Sequence, residues 1–294
     1  MKKKRYDIAL HARRGGVRRW ASNYQPPPVK KARKERAKHV EAVVVILASS
    51  KSGLHFTQQA AWHEWAEDAP AIGFAVYAED HSSLEKQCNE LEWDFWRPFL
   101  CPVQCSSAWG EFSLLRAELL ALTWASERFE KAAWFYVVSG DSVPAKTPAA
   151  FVQGPSSRNS FLGFDPNIVT KAPNGENIRE HSQWKVLSRA HVLRLVDASP
   201  LDKWQKMDQE LKRRWCCVIA ADEWVIGAVL RSKSSSKRRW MDGTCIMEQE
   251  FVSEKRKCCG QNAGHAKLLS TSRFALLYKR ACADENTFAL RKVR

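Results

Sequence analysis

The sequence predicts an α/β domain with a mostly parallel central sheet flanked by helices, and three observations carry that expectation. The runs Glu41 to Ala48, Ile72 to Tyr77 and Trp134 to Val138 have the length and the β-branched or aromatic content of buried strands. Between them lie segments of helical character, Phe56 to Ala66 and Phe112 to Phe129. The second places Leu115, Leu119 and Leu122 on one face at spacings of four and three. Strands that alternate with helices favour a parallel sheet covered on both faces.

Each element carries its own punctuation. Ser49, Ser50 and Gly53 end the first strand, and Trp109-Gly110 opens the long helix. The third strand runs into the turn Ser139-Gly140-Asp141-Ser142 and Pro144. Ser160 to Phe164 is expected to add a strand, and Ser188 to cap a helix over Arg189 to Val196. The Ser, Lys and Arg-rich run Arg231 to Arg239 reads as a linker, and Met241 to Ala266 shows no clear periodicity. In open sheets of this kind ligands settle beyond the carboxyl ends of the strands, so the loops after Ala48, Tyr77 and Val138 are where a nucleotide would bind.

With 294 residues, 45% of them hydrophobic, the chain can bury a sizeable core, which excludes a fibrous or wholly disordered protein. The net charge of +15 is unevenly spread: residues 1–39 hold 14 of the 47 Lys and Arg but only Asp7 and Glu35 of the 32 acids. The leader therefore carries +12 and the remainder only +3. This divides the chain into a basic leader, 1–39, expected to be disordered, and a single domain, 40–294. The clusters Lys2-Lys3-Lys4-Arg5 and Lys30 to Lys38 would give the leader salt-dependent, nonspecific affinity for nucleic acid or another anionic surface. It has no apolar core before Pro26-Pro27-Pro28, as a secretory signal peptide would. The best apolar run, Ala42 to Ala48, is far too short to span a bilayer, so the chain as given reads as soluble. The nine cysteines include the adjacent pairs Cys216-Cys217 and Cys258-Cys259, which lack the spacing that zinc sites favour, and no structural metal is expected.

Several blocks, in order, resemble the core-2/I-branching β-1,6-N-acetylglucosaminyltransferase family, which also includes peptide O-xylosyltransferases. Val43 to Ala48 and Phe74-Ala75-Val76-Tyr77-Ala78-Glu79-Asp80 are similar to the first two strands of its nucleotide-binding half. Trp109 to Glu118 resembles its tryptophan-led helix, and Phe135 to Pro144 its strand ending in a serine-rich turn and proline. Ser182-Gln183-Trp184-Lys185-Val186-Leu187-Ser188-Arg189 is similar to its Ser-Gln-Trp block, Asp222-Glu223 to its acidic pair, and Phe288-Ala289-Leu290-Arg291-Lys292 to its Phe-Ala-x-Lys ending, with one extra residue. The resemblance runs from Glu41 to the C-terminus. Trp224-Val225-Ile226-Gly227 departs from the aromatic-rich pattern that follows the acidic pair in relatives.

The resemblance implies a glycosyltransferase-A type α/β fold, a UDP-sugar donor, a glycan or glycoprotein acceptor, and transfer of GlcNAc, or next xylose, with inversion. It also implies a Golgi or other secretory-pathway membrane; no anchor is visible in this chain, and a soluble cytoplasmic protein is the alternative.

An inverting transfer needs one base to take the proton of the attacking hydroxyl. Glu223 matches the family's base, while Asp222 is expected to cap the helix that follows; from spacing alone, dressing a helix start is the commoner use of such a pair. The loop after the third strand offers only Asp141, with no Asp-x-Asp to hold a divalent ion, so no metal cofactor is expected and basic side chains would neutralise the diphosphate. The positions that match are Arg273 and Lys292, with Arg291 as a rival to Lys292; an ordinary basic tail is the plain alternative. Gln183 and Trp184 are expected near the acceptor, because sugars present C–H faces to aromatic rings and hydroxyls to amides. Glu79 and Asp80 could bond uridine or ribose hydroxyls or solvate a turn, and Asp141 could touch the donor sugar or serve its own turn. The competing classes are a nucleic-acid-binding protein that uses the basic arm and a sugar-binding relative without turnover.

Overall fold

Strands β1 (Ala42–Ala48), β2 (Ile72–Ala78), β3 (Trp134–Ser139) and β7 (Lys185–Ser188) form the central sheet in the order β2-β1-β3-β7. In this computed structural model β1 runs parallel to β2, from Ala42 opposite Ile72 to Ala48 opposite Ala78, and parallel to β3, from Ala42 opposite Trp134 to Leu47 opposite Ser139. The edge strand β7 is antiparallel and sets Lys185 opposite Val137. Every residue of β1, β2 and β3 is buried, which is why these strands read as continuous apolar runs rather than alternating ones. The residues described are 39–48, 56–90, 95–102, 105–108, 110–155, 160, 162, 164–171, 177–197, 201–214, 220–232, 251–255, 262–266 and 288–291. The basic leader lies outside them apart from His39.

Helices α1 (Phe56–Ala66), α2 (His81–Glu90), α3 (Phe112–Arg128), α4 (Pro148–Gln153), α5 (Arg189–Val196), α6 (Leu201–Arg214) and α7 (Val225–Ser232) flank the sheet. Along α3 the buried face comprises Leu115, Glu118, Leu119 and Leu122, a helical repeat interrupted by one carboxylate. The far end of α3 is closed by Arg189, whose guanidinium donates to the carbonyls of Phe129 at 3.0 Å and Ser126 at 3.1 Å. A cation suits that position because the last carbonyls of a helix are unpaired and partly negative.

Two indoles fasten α1 to the turn after β3. Trp62 Nε1 donates to Ser142 O at 2.8 Å, and Trp65 Nε1 donates to the Lys146 carbonyl. Trp62 stacks edge-on against Trp65, Phe74 and Phe151, so burial and hydrogen bonding agree on one orientation. The short strand β4 (Ser142–Pro144) then pairs with β10 (Ala289–Arg291), anchored by buried Phe288 against Tyr136 and Phe151.

Several local expectations need correction. The added strand is β5 (Phe164–Lys171), paired with β6 (Asn177–His181), rather than Ser160 to Phe164. Ser160 is fully buried instead, its hydroxyl accepting from Ser188 N at 2.8 Å and meeting His191 Nδ1 at 2.6 Å. Ser188 does occupy the N-cap of α5, but its own side chain makes no capping bond. The start of the supposed linker, Arg231 and Ser232, belongs to α7. Within the stretch without periodicity, β8 (Phe251–Lys255) and β9 (Asn262–Ala266) pair antiparallel. Among the described residues Cys88, Cys101 and Cys105 are free thiols, and no helix is long and apolar enough to cross a membrane.

Candidate active site

Glu223 ends a 3-10 turn, Ala221–Glu223, that leads into α7 and packs against α3. Ala221 and Trp224 on either side of the acidic pair are fully buried, and Trp224 meets Trp204 of α6 at a ring separation of 6.0 Å. These apolar anchors hold the turn down, with Asp222 buried beneath it and Glu223 half-buried. Backbone bonds from Glu223 N to Ala220 O, at 2.8 Å, and from Trp224 N to Ala221 O, at 3.3 Å, close it.

Asp222 does not cap the helix that follows. Its carboxyl is buried and hydrogen-bonds the Gln183 side chain, while Oδ1 has no partner among the described residues. The start of α7 is capped from β6: His181 Nε2 accepts from Gly227 N at 3.2 Å, and His181 Nδ1 donates to Ser182 O at 2.9 Å. Those two partners assign the neutral tautomer with its proton on Nδ1. A buried imidazole acceptor thus supplies what a preceding Asp would have supplied.

Beneath the turn lies a buried ion pair. Lys185 Nζ donates to Glu118 Oε1 and Oε2, each at 3.0 Å, and to Asp222 O at 3.1 Å, and both side chains are completely inaccessible to solvent. All three ammonium protons are therefore used. Burial pushes the Glu118 carboxyl up and Lys185 pulls it back; Asp222 is raised by burial and opposed in the same way. For Glu223, burial first, then Asp222 and Glu180, push the carboxyl up to about 8 against Lys185 and a backbone hydrogen bond from Ala220. A half-buried carboxyl with that proton affinity holds its proton below about 8 and, once ionised above it, is a stronger proton acceptor than an ordinary carboxylate.

The turn sits beside the N-terminal end of β7, where Gln183 is half-buried and Trp184 is buried, its N–H bonded to Ser182 Oγ at 3.1 Å. The antiparallel pairing of β7 with β3 brings this group to the same sheet end as the carboxyl ends of the parallel strands. There the turn after β3 crosses to β1, Gly140 N donating to Leu47 O at 3.1 Å. The half-buried Asp141 accepts from Ser139 Oγ, which also meets Ser142 Oγ at 2.9 Å. The register of β4 with β10 sets Arg291 opposite Ser142, one residue from Asp141.

After β2, Glu79 accepts from Ser106 Oγ at 3.2 Å. Asp80 caps α2, accepting from Ser83 N at 3.1 Å and Ser83 Oγ at 2.6 Å, and these bonds hold its carboxyl below the usual range. Arg273, Lys292 and Trp109 lie outside the described residues. No three His, Cys, Asp or Glu among the described residues are grouped to hold a metal ion.

No protein-family model and no curated protein matches this sequence. What marks the site is its own chemistry, and three of its members were not singled out from sequence: Lys185, Glu118 and His181. A signal for two of them was present. Lys185 opens the apolar run Val186-Leu187, and Glu118 falls on the leucine face of α3, so each element buries one charge that its pattern leaves unexplained.

Proposed function

We propose that this chain is an inverting glycosyltransferase of glycosyltransferase-A type, which moves a sugar, GlcNAc first and xylose next, from a UDP-sugar to a hydroxyl of a glycan or glycoprotein. The observation that carries the reading is Glu223: a half-buried carboxyl pushed up to about 8, on a turn at the same sheet end as the carboxyl termini of β1, β2 and β3. In the reaction the acceptor oxygen attacks C1 as the C1–O bond to the β-phosphate breaks. The electron pair leaves with UDP, and the hydroxyl proton passes to Glu223. Arg291, paired through its backbone opposite Ser142, is proposed with Lys292 and Arg273 to neutralise the diphosphate. Asp141, Glu79 and Asp80 are the proposed donor-side acceptors; Gln183, Trp184 and Asp222 are proposed around the acceptor.

The test is UDP release from UDP-GlcNAc, UDP-xylose, UDP-glucose and UDP-galactose with mixed glycan acceptors. Release should rise with pH until Glu223 is deprotonated near 8 and should persist in excess EDTA. Glu223→Gln should lower it by about 10²–10⁴ with UDP affinity intact. Undiminished release by that variant excludes Glu223 as base, and release abolished by EDTA and restored by manganese excludes the metal-free mechanism.

A further inference from the structure

Burying an ammonium and a carboxylate together is a poor way to gain stability, because an apolar pair of similar volume avoids the desolvation cost. Lys185 and Glu118 nevertheless meet under the turn that carries Glu223, and the third ammonium proton goes to the backbone at Asp222 O, 3.1 Å away. That carbonyl belongs to the peptide unit joining Asp222 to Glu223, which is planar, so the orientation of C=O and N–H is one variable. Lys185 holds the oxygen side of this plane and Ala220 O holds the nitrogen side, at 2.8 Å. With both ends of this plane fixed, and the next peptide held by Trp224 N to Ala221 O at 3.3 Å, the Cα–Cβ direction of Glu223 is left with little freedom. Glu118 in turn takes the other two protons and stops the ammonium from turning away.

We propose that Lys185, clamped by Glu118, is a positioning residue that fixes the Asp222–Glu223 peptide and so aims the Glu223 carboxylate. The inference rests on the reading of Glu223 as the base. The charged groups that face Glu223 are Asp222 on its own turn, Glu180 from β6 and Lys185 from β7; Glu118 of α3 and Asp208 of α6 act on Lys185 and Asp222 from behind. Lys185 is the one cation acting on Glu223 among these groups, and its removal both frees the peptide and withdraws the positive field.

Two variants of the full chain separate these effects from simple damage. Lys185→Met combined with Glu118→Gln removes the clamp without leaving a bare buried charge. Glu118→Gln alone keeps Lys185 but lifts its neutralising partner. The readouts are the titration midpoint of the Glu223 carboxyl by 13C NMR, assigned with Glu223→Gln, and kcat against KM for UDP release. The double variant should move the midpoint up by about one pH unit and lower kcat about tenfold or more at unchanged donor KM. Glu118→Gln should move the midpoint down, and opposite shifts cannot come from general loosening. A folded double variant with either the midpoint or kcat at its wild-type value overturns the proposal. So does an upward shift in Glu118→Gln, which also decides the matter if the double variant does not fold. A Glu223→Gln variant that still transfers sugar would overturn the reading of the base, whereas the NMR midpoints would continue to test the clamp.

Discussion

Replacing Glu223 by Gln should stabilise the protein, and only at high pH. In the folded state the carboxyl is pushed from 4.5 up to about 8, so between those values the native state binds a proton that the unfolded chain does not. Stability from this group is therefore complete below about 4.5 and is lost as pH rises through about 8. At about 1.4 kcal/mol per pH unit the full separation corresponds to about 5 kcal/mol, and solvent screening of the half-buried carboxylate brings the expected effect to about 2–4 kcal/mol. Gln has nearly the same shape and never ionises. Urea unfolding at pH 4.5, 7 and 9 should then show the variant equal to wild type at the lowest pH and more stable by that amount at the highest. Asp222 and Glu180 lie beside position 223 in both proteins, so the difference reports the Glu223 charge together with its coupling to them. A constant difference across the range, or a variant less stable at pH 9, would refute the assigned environment of Glu223. A gain in stability on removing the ionisable group would show that the fold carries this carboxyl at a cost.

Two further perturbations probe the scaffold. Gly154, the C-cap of α4, has φ +73° and an added Cβ would fall 2.1 Å from the Trp134 indole, so Gly154→Ala should cost about 2–4 kcal/mol in urea unfolding; a loss under 1 kcal/mol would contradict that geometry. His181→Phe keeps the ring volume but removes the Nε2 that accepts from Gly227 N–H at the start of α7, and should cost about 1–3 kcal/mol, with faster hydrogen exchange appearing first at Gly227. Unaltered exchange there would show that the imidazole is not the cap.

The two charged residues under the turn show why part of the site was legible and part was not. Glu223 is marked in the sequence only by the resemblance of Asp222-Glu223 to an acidic pair; spacing alone favours the dressing of a helix start, and nothing local says whether the carboxyl caps a helix or lies half-buried. Asp222 shows the same limit. Its position one residue before Glu223 favours capping, and the cap comes instead from His181, more than forty residues away in sequence. Helix α6 was legible in hindsight: Leu201, Trp204, Met207, Asp208 and Leu211 are all buried at spacings that return to one face. Asp80, read from the sequence as a donor-side or turn residue, caps α2, whose apolar face is only Leu84 and Cys88 and so gives little local signal.

By itself the sequence determined the three parallel strands and the long helix, because apolar period and length are local properties that burial on both faces imposes on β1, β2 and β3 and on the leucine face of α3. It also determined the uneven charge, +12 in the first 39 residues, by simple counting. Tertiary structure alone decided which charges meet. Lys185 and Glu118 are 67 residues apart, and the Asp222 carbonyl is 37 residues from Lys185. Their encounter depends on β7 lying antiparallel against β3 and on α3 crossing beneath the 3-10 turn. Proton affinity follows the same rule: a carboxyl is moved from its ordinary value by desolvation and by neighbouring charges, and both are properties of the packed surroundings rather than of the chain order.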